Sequence, residues 1–372
     1  MRALFLIFYG FQEYNGISKK IRYQIDALKQ CGMDVHTCYY EVRDDRERLW
    51  MIDDKILANL GKGPLAKIKK RISFTPIIRY IREKQISLVY IRYHHNANPF
   101  TIHLIKAIKK LGAKVVLEIP TYPYDQEFID QKLNLCIDKM FRHELCKQLN
   151  AVVTFSNDAV IFGQRTIRIS NGIDFNSIPL RQQRHTMENE LHLIGVAEIH
   201  FWHGFDRVIY GLKEYYMQNP TYKVFFHIVG NLSGEREQQE IETPIHTYGL
   251  SPYIILYGAK HGQELDDLFE KADFAVGSLA RHRSGIHNIK TLKNREYAAR
   301  GFGFIYSETD DDFEKMPYIL KVPADETPIK ISEVIAFCKE QTISPQEIRN
   351  SIRHLSWKEQ MKKVYDDIQV HS

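Results

Sequence analysis

This chain of 372 residues contains little cysteine, no long apolar run and no dinucleotide-binding fingerprint. Its five cysteines are scattered and form no CxxC pair, which argues against a disulfide framework or a zinc site and indicates reduced, cytosolic thiols. No apolar stretch approaches the roughly 20 residues that cross a bilayer. The short apolar run at residues 3–9 has no cleavage site after it, so we predict a buried strand there and not a signal peptide. The G-x-G-x-x-G motif is absent, so the sequence lacks the fingerprint of enzymes that bind a nicotinamide dinucleotide.

The composition is that of a globular protein, with 44% hydrophobic and 26% charged residues. The charge is uneven along the chain. Residues 1–170 carry 28 Lys and Arg against 17 Asp and Glu, whereas the remaining residues carry 23 against 29. A basic first half beside an acidic second half indicates that one domain faces an anionic surface or substrate. The alternative is that these charges only solvate the surface.

Apolar strands alternate with helical stretches along the chain, which predicts an α/β fold of doubly wound parallel sheets. The alternation stops at the polar residues 170–174 and then starts again. We therefore predict two Rossmann-like domains, residues 1–172 and 173–350, and a packing helix within residues 351–372 that crosses back over the domains. Ligands of open parallel sheets bind at the carboxyl ends of the strands, so we expect the ligand in a cleft between the two domains. The predicted strands are residues 3–9, 35–40, 87–93, 114–119, 151–156, 191–196, 224–229, 254–257, 274–277 and 304–307.

Two loops contain the residue types that bind phosphate and sugar hydroxyls. The loop at residues 10–18 places Gly16 before a helix, whose free N–H groups can meet an anion. Residues 281–301 place Arg and Lys side chains around another helix start, with the carboxylate of Glu296 about one turn further on. This set suits a diphosphate and ribose hydroxyls. A turn glycine and a solvated basic loop are the alternatives.

Residues 292–301 (LKNREYAARG), followed by the apolar residues 304–306, resemble the LKxxEYxAxG signature of nucleotide-sugar glycosyltransferases with the GT-B fold. The closest resemblance is to their retaining family 4 (group 1), which includes sucrose synthase and many bacterial surface-polysaccharide enzymes. Shorter matches follow in the family's order and cover nearly the whole chain. They are NGI at 15–17, NGID at 171–174, GFDRVI at 204–209, IVG at 228–230, ILYG at 255–258 and LSW at 355–357.

The resemblance implies a sugar-donor site in the second domain. Glu296 would bind the ribose, and Lys293 with the helix-start amides would bind the diphosphate. Ala259 and Lys260 would lie near the base, and Gly16 would face the nucleotide sugar across the cleft.

Members of this family generally need no metal or other cofactor, because cationic side chains and a helix dipole stabilise the leaving diphosphate. The acidic run at residues 310–312 (DDD) is accordingly predicted to be an exposed loop and not a metal site.

The sequence departs from the family pattern where the diphosphate is usually clamped. Glu198 and His203 stand at the positions of the family's Arg and Lys. Since a glutamate repels phosphate, either the pocket is degraded or other cations of the loop take over, namely Arg281, Arg283, Lys290 and Lys293. We also predict that His203, as an imidazolium, donates to the phosphate. Asn288 stands at the first Glu of the family's spaced pair, and we assign it to the catalytic centre because an amide can still bind sugar hydroxyls.

Polar residues at two predicted strand ends of the first domain are candidates for acting on the acceptor. Glu118 ends a buried strand and is predicted to perform acid/base catalysis or bind the acceptor; a structural carboxylate is the alternative. Arg92 and His94 follow the neighbouring strand, and we assign them with Tyr122 to acceptor binding. Structural roles are again the alternative.

Residues 62–84 interleave basic and apolar side chains. This pattern suits the surface of an anionic bilayer, where each Lys or Arg contributes about 1 kcal/mol. We therefore predict contact with the cytoplasmic membrane face through this segment, which would suit a lipid-linked acceptor. The alternative is a core-facing helix with a solvated basic face. Nucleic acid is not expected as a partner, because no binding motif for it is present.

These observations predict a metal-independent, retaining glycosyltransferase. It would move a sugar from a UDP- or GDP-sugar to a glycan or lipid-linked acceptor during bacterial capsule, O-antigen or exopolysaccharide synthesis. The first alternative is a catalytically inactive glycosyltransferase-like binding module, which the altered phosphate clamp motivates. The second is a nucleotide-sugar epimerase on the same fold.

Overall fold

The computed structural model describes residues 1–10, 16–93, 97–125, 132–182 and 189–371. Contacts divide the chain into two compact units. The first unit comprises residues 1–172 and 357–372, and the second comprises residues 173–356. The chain therefore leaves the first unit and returns to it at residue 357.

In the first unit, nine strands of the described residues form one sheet. They are β1 (Arg2–Ile7), β2 (Asp34–Val42), β3 (Arg48–Ile52), β4 (Lys55–Gly61), β5 (Leu88–Arg92), β6 (Lys114–Ile119), β7 (Ala151–Thr154), β8 (Val160–Ile161) and β9 (Gln164–Arg168). Their order across the sheet is β4-β3-β2-β1-β5-β6-β7-β9-β8. The central strands are parallel, whereas β3 and β4 at one edge and β8 at the other are antiparallel. β1 and β5 are buried along almost their whole length, as expected for parallel strands covered on both faces.

The helices of the first unit follow its strands along the chain. They are α1 (Gly16–Gln30), α2 (Gly63–Ile72), α3 (Thr75–Glu83), α4 (Pro99–Lys110) and α5 (Lys132–Lys147). The side chain of Asn98 caps α4 by accepting hydrogen bonds from two backbone N–H groups of its first turn.

In the second unit, six described strands form a sheet that is parallel throughout. They are β10 (Glu190–Val196), β11 (Lys223–Val229), β12 (Ile254–Leu256), β13 (Phe274–Val276), β14 (Phe304–Tyr306) and β15 (Ile319–Lys321). Their order is β12-β11-β10-β13-β14-β15. The helices of this unit are α6 (Phe205–Tyr216), α7 (Glu235–Thr247), α8 (Gln263–Glu270), α9 (Leu292–Ala299), α10 (Ile331–Glu340) and α11 (Pro345–Ser351).

The predicted α/β class with two successive parallel sheets is confirmed. Every predicted strand is present, with ends that differ by a residue or two. The β3–β4 hairpin was not predicted. Its turn residues Asp53 and Asp54 both have positive φ, 45° and 64°, and because neither is a glycine the usual sequence signal of such a turn is missing. Within the described ranges, no helix is both long and apolar enough to span a membrane.

The last helix, α12 (Trp357–Val370), packs against the first unit. Met361, Val364 and Ile368 recur at helical spacing, and each is at most 2% exposed. They share a hydrophobic cluster with Ile21 of α1 and with β1. This arrangement anchors the end of the chain to the sheet of the first unit.

Replacing Met361 by Ala should lower the free energy of unfolding by about 2–5 kcal/mol, because the truncation removes buried apolar contacts and leaves a cavity. Urea denaturation of the full chain measures this change. Lys362→Ala changes the adjacent, exposed residue and serves as the control, with an expected effect within about 0.5 kcal/mol. Equal effects of the two variants would contradict the packing of α12.

Candidate functional site

Three loops of the second unit meet at the carboxyl ends of β10, β13 and β14. Backbone hydrogen bonds join them. The N–H of Leu279 donates to the carbonyl of His203 at 2.9 Å, and the N–H of Ser307 donates to the carbonyl of Ser278 at 3.0 Å. Because open parallel sheets bind ligands at this end of their strands, these loops form the candidate site of the second unit.

Gly204 allows the loop after β10 to approach the loop after β13. Its φ is +66°, and a Cβ at this position would lie 2.8 Å from the Cβ of Ala280 and 2.9 Å from its backbone nitrogen. Only glycine combines this backbone conformation with so close an approach. The turn places His203 directly before the start of α6.

The start of α9 is fastened to the loop after β14 by a buried ion pair. Arg295 donates to the two carboxylate oxygens of Asp310 at 2.6 and 3.0 Å, and both side chains are 0% exposed. Asp312 also contacts the guanidinium. The prediction of an exposed loop at residues 310–312 is therefore wrong for Asp310, because the pattern of three acidic residues does not reveal its buried cation.

Lys293 and Glu308 have buried ionisable groups that find no hydrogen-bond partner in the described part of the chain. The ammonium of Lys293 and both carboxylate oxygens of Glu308 are shielded from solvent, and the described residues offer none of them a hydrogen bond. Burial lowers the pKa of Lys293 to about 7, and the positive charge of Arg281 lowers it further. Burial raises the pKa of Glu308 to about 7, although its own backbone N–H and the charge of Lys293 oppose this rise. Because a buried charge without a hydrogen bond is costly, a ligand that forms hydrogen bonds with Lys293 or Glu308 would lower the energy of this site.

His203 lies near this pair in its neutral form. Its side chain is 6% exposed, and its Nδ1 accepts a hydrogen bond from the backbone N–H of His200 at 3.0 Å. Burial and the charges of Lys293 and Arg281 lower its pKa well below 6.5. The imidazolium that the sequence suggested is thus disfavoured. A neutral ring with Nδ1 as acceptor carries its proton on Nε2, which can still donate to an oxyanion.

Arg283 is committed to two carboxylates. It donates to Asp206 at 2.8 and 3.0 Å and to Glu326 at 3.1 Å. Burial disfavours its charge, but the hydrogen bonds to Glu326 and Asp206 outweigh burial and raise its pKa. Its predicted role in binding the diphosphate therefore competes with two existing ion pairs and stays a prediction.

Glu296 and Asn288 lie at opposite ends of the segment around α9. Glu296 is partly exposed and pairs with Arg300, one turn later in sequence, at 3.1 Å. Asn288 is exposed, and its backbone pairs with Thr309 in an isolated bridge. The binding of ribose by Glu296 and of sugar hydroxyls by Asn288 stays a prediction.

Ala259 and Lys260 follow β12, where the sequence places them near the base. The backbone N–H of Ala259 donates to the Oδ1 of Asn231, which follows β11, at 3.1 Å. The ammonium of Lys260 pairs with Glu264 at 3.0 Å. The side chain of Asn231 thus shapes this turn, and the sequence analysis did not identify it.

In the first unit, Glu118 is fully buried among polar side chains. One of its oxygens accepts hydrogen bonds from Gln24 at 2.7 Å and Tyr90 at 2.5 Å. Arg92 contacts the other oxygen, and the ammonium of Lys20 lies 3.8 Å from it. This environment resembles that of a structural carboxylate, so acid/base catalysis by Glu118 and acceptor binding by Arg92 stay predictions.

Two further residues of the predicted site lie in the described part of the first unit. Gly16 is the first residue of α1, and Tyr122 is half-buried, with its ring centroid 5.4 Å from that of Phe162. His94 lies outside the described residues.

The sequence analysis missed Glu308. A signal was available, because Glu308 directly follows the predicted strand at residues 304–307, and the carboxyl ends of parallel strands carry ligand-binding residues. The described residues contain no cluster of three or more His, Cys, Asp or Glu side chains that could hold one metal ion. Metal independence stays a prediction.

No protein-family model matches this sequence, and no curated protein matches it either. Solved structures share its fold. Sucrose-phosphate synthase from Thermosynechococcus elongatus is similar over 100% of both chains, with 14% identity and a TM-score of 0.63. HepE from Anabaena in complex with UDP matches over 100% of both chains, with 14% identity and a TM-score of 0.65. The catalytic domain of starch synthase IV from Arabidopsis thaliana, bound to ADP and acarbose, covers 100% of this chain and 99% of its own, with 12% identity and a TM-score of 0.64. The fold is therefore that of the GT-B glycosyltransferases.

Replacing Arg295 by Met should lower the free energy of unfolding by about 3–5 kcal/mol, because it leaves Asp310 buried without its partner. The double variant Arg295→Met/Asp310→Asn removes both charges and should recover part of this loss in urea denaturation. A loss typical of an exposed ion pair, about 0–1 kcal/mol, would contradict the burial of this pair.

Replacing Glu308 by Gln should change the pH dependence of stability. The folded state raises the pKa of Glu308 from 4.5 to about 7, so its contribution to stability is present below pH 4.5 and is lost as the pH rises through about 7. We expect Glu308→Gln to match the wild type at low pH and to exceed it at pH 8 by about 1–3 kcal/mol, since the amide has no charge to bury.

Urea denaturation at a series of pH values measures this difference. Glu270→Gln is the control, because Glu270 is exposed on the same unit and should show no gain at pH 8. A Glu308→Gln variant that is less stable than the wild type at pH 8 would show that Glu308 is stabilised as a carboxylate.

Proposed function

We propose that this protein is a nucleotide-sugar glycosyltransferase. The observation that carries the proposal is the buried Lys293–Glu308 pair, which lies at the carboxyl ends of parallel strands and lacks hydrogen-bond partners among the described residues. The fold supports it, since the structures that share this fold include one with UDP and one with ADP.

The start of α9 supplies the groups that a leaving diphosphate needs. The backbone N–H groups of its first turn form the positive end of the helix dipole. Thr291 caps only one of them, accepting from the N–H of Asn294 at 3.4 Å. Lys293 adds a cation in the first turn. A diphosphate here would gain charge-assisted hydrogen bonds as the bond to the sugar breaks, which stabilises the transition state.

The departures from the family pattern are compatible with this chemistry. The side chain of Glu198 is exposed, so water screens its charge from a phosphate. His203 offers a neutral Nε2–H, and Lys293 offers the cation. Glu296 is the proposed ligand of the ribose hydroxyls, in exchange for its surface pair with Arg300.

The acceptor side is proposed for the first unit. A glycan or lipid-linked acceptor would contact Arg92, His94 and Tyr122, with Glu118 and Asn288 at the reaction centre. Residues 62–84 would hold the protein at an anionic membrane surface, and this setting suits surface-polysaccharide synthesis at the cytoplasmic face. Transfer is proposed to retain configuration and to need no metal ion.

One nucleoside diphosphate should bind without Mg²⁺. A thermal-shift screen of UDP, GDP, CDP, ADP and dTDP identifies it, because a ligand at 100 times its Kd adds about 2.7 kcal/mol of stability.

Calorimetry then compares the variants. Lys293→Met should weaken both the nucleotide and inorganic diphosphate about tenfold or more, since a charge-assisted hydrogen bond is lost. Glu296→Gln should weaken the nucleotide only, because its proposed partner is the ribose.

Lys315→Met is the matched control, since Lys315 is exposed on the same unit and should leave both affinities unchanged. Binding of none of the five nucleotides would contradict the proposed function and would favour a binding module without a nucleotide. Release of nucleotide from a nucleotide sugar without transfer to any acceptor would favour an epimerase.

A further inference from the structure

The first unit contains a cavity of about 700 Å³ between α2, α4 and α5, which is apart from the predicted site residues. Its volume lies within the range of small-molecule sites, about 300–1,000 Å³. Two kinds of side chain dominate its lining, and they point to one class of ligand.

The first kind is apolar. Phe8 and Phe74 are buried in the core and contribute to the lining, together with Ile68, Ile72 and Phe100. Ile68 and Phe100 are 53% and 49% exposed. Large apolar side chains left in contact with solvent around a concave surface mark a binding site.

The second kind is cationic. Arg48, Lys67, Lys70 and Arg71 line the cavity, and no acidic residue is among its described lining residues. The ammonium of Lys70 lies 4.0 Å from the ring centroid of Tyr40. Arg48 donates to the hydroxyl of Tyr40 at 2.5 Å, while its Nε is buried and finds no hydrogen-bond partner in the part of the chain that the structure describes.

These cations are partly buried or exposed, and among the described residues they lack the carboxylate partner that the buried arginines of the second unit have. Arg295 and Arg300 each pair with a carboxylate at 2.6–2.7 Å, and Arg207 pairs with one at 3.0 Å. The cavity instead gathers like charges. Burial together with the charges of Arg71 and Arg48 lowers the pKa of Lys70 to about 8. An anion would relieve this repulsion.

We infer that this cavity binds an amphiphile with a phosphate head and a hydrocarbon chain, with the phosphate at Arg48, Lys70 and Arg71 and the chain on the apolar lining. The inference deepens the proposed function and rests on it, because it makes this amphiphile the carrier of the acceptor. The apolar lining favours this ligand over a nucleic-acid phosphate, and the concave shape of the cavity favours it over a bilayer held only by surface charge.

Farnesyl phosphate is a suitable probe, and isothermal calorimetry with the full chain measures its binding. We expect saturable binding of one molecule per chain. Farnesol lacks the phosphate and inorganic phosphate lacks the chain, so each should bind about tenfold or more weakly. Equal binding of farnesol, or of inorganic phosphate, would overturn the inference.

Two neighbouring lysines of α2 distinguish the cavity from general charge attraction. Lys70 lines the cavity, whereas Lys69 is exposed and does not. Lys70→Met should weaken farnesyl phosphate about tenfold or more, and Lys69→Met should not. Arg71→Gln, at an exposed position, should also weaken it and gives a second variant that does not disturb the core. Equal losses for Lys69→Met and Lys70→Met, in this assay and in binding to vesicles of anionic lipid, would show surface attraction only and overturn the inference.

The nucleotide assay keeps the two proposals apart. If the nucleotide binds but farnesyl phosphate does not, the cavity inference fails and the proposed transferase stands. If farnesyl phosphate binds with the expected variant pattern and no nucleotide binds, the phosphate–chain site stands and its role as an acceptor site fails.

Discussion

The candidate site of the second unit depends on the buried ion pair between Arg295 and Asp310. Both side chains are fully excluded from water, and each would pay a large desolvation cost alone. Two hydrogen bonds to Asp310, the contact with Asp312 and a bond from Arg295 to the carbonyl of Thr291 at 3.0 Å offset that cost. The pair thereby ties the start of α9 to the loop after β14. Lys293 stands on the first of these segments and Glu308 on the second. The Arg295–Asp310 ion pair therefore brings Lys293 and Glu308 together.

Carboxylate pairing separates the cations of the described residues into two groups. Arg207, Arg283, Arg295 and Arg300 each meet an Asp at hydrogen-bond distance. Lys293 in the second unit has no such bond, and the basic residues of the cavity in the first unit have no carboxylate among the described lining residues. Glu308 offsets part of the charge of Lys293, but the desolvation of Lys293 and Lys70 still raises the energy of the empty protein, and an anionic ligand would recover part of that energy. The two proposed sites therefore rest on one physical principle, although a different ligand is proposed for each.

The sequence predicts the parts of the fold that depend on apolar pattern. β6 begins and ends where its apolar run does, because a parallel strand buried on both faces reads as a short continuous apolar run. Short edge strands such as β8 lack enough residues to show a period, and the β3–β4 turn lacks a glycine. Site residues divide in the same way. Lys293 lies in a recognisable motif, whereas the burial of Glu308 and the pairing of Arg283 with Asp206 arise from contacts between residues distant in sequence.

Burial is the largest cause of both the neutral state of His203 and the lowered pKa of Lys293, and the nearby charge of Arg281 adds to it. Arg281 keeps its charge at any physiological pH, so its neighbours yield their protons first. An anion beside Lys293 would reverse this order, because an opposite charge raises the pKa of an amine. Binding of a diphosphate would then draw a proton onto Lys293 and strengthen its hold on the ligand. After the diphosphate left, burial and the charge of Arg281 would again favour the loss of that proton.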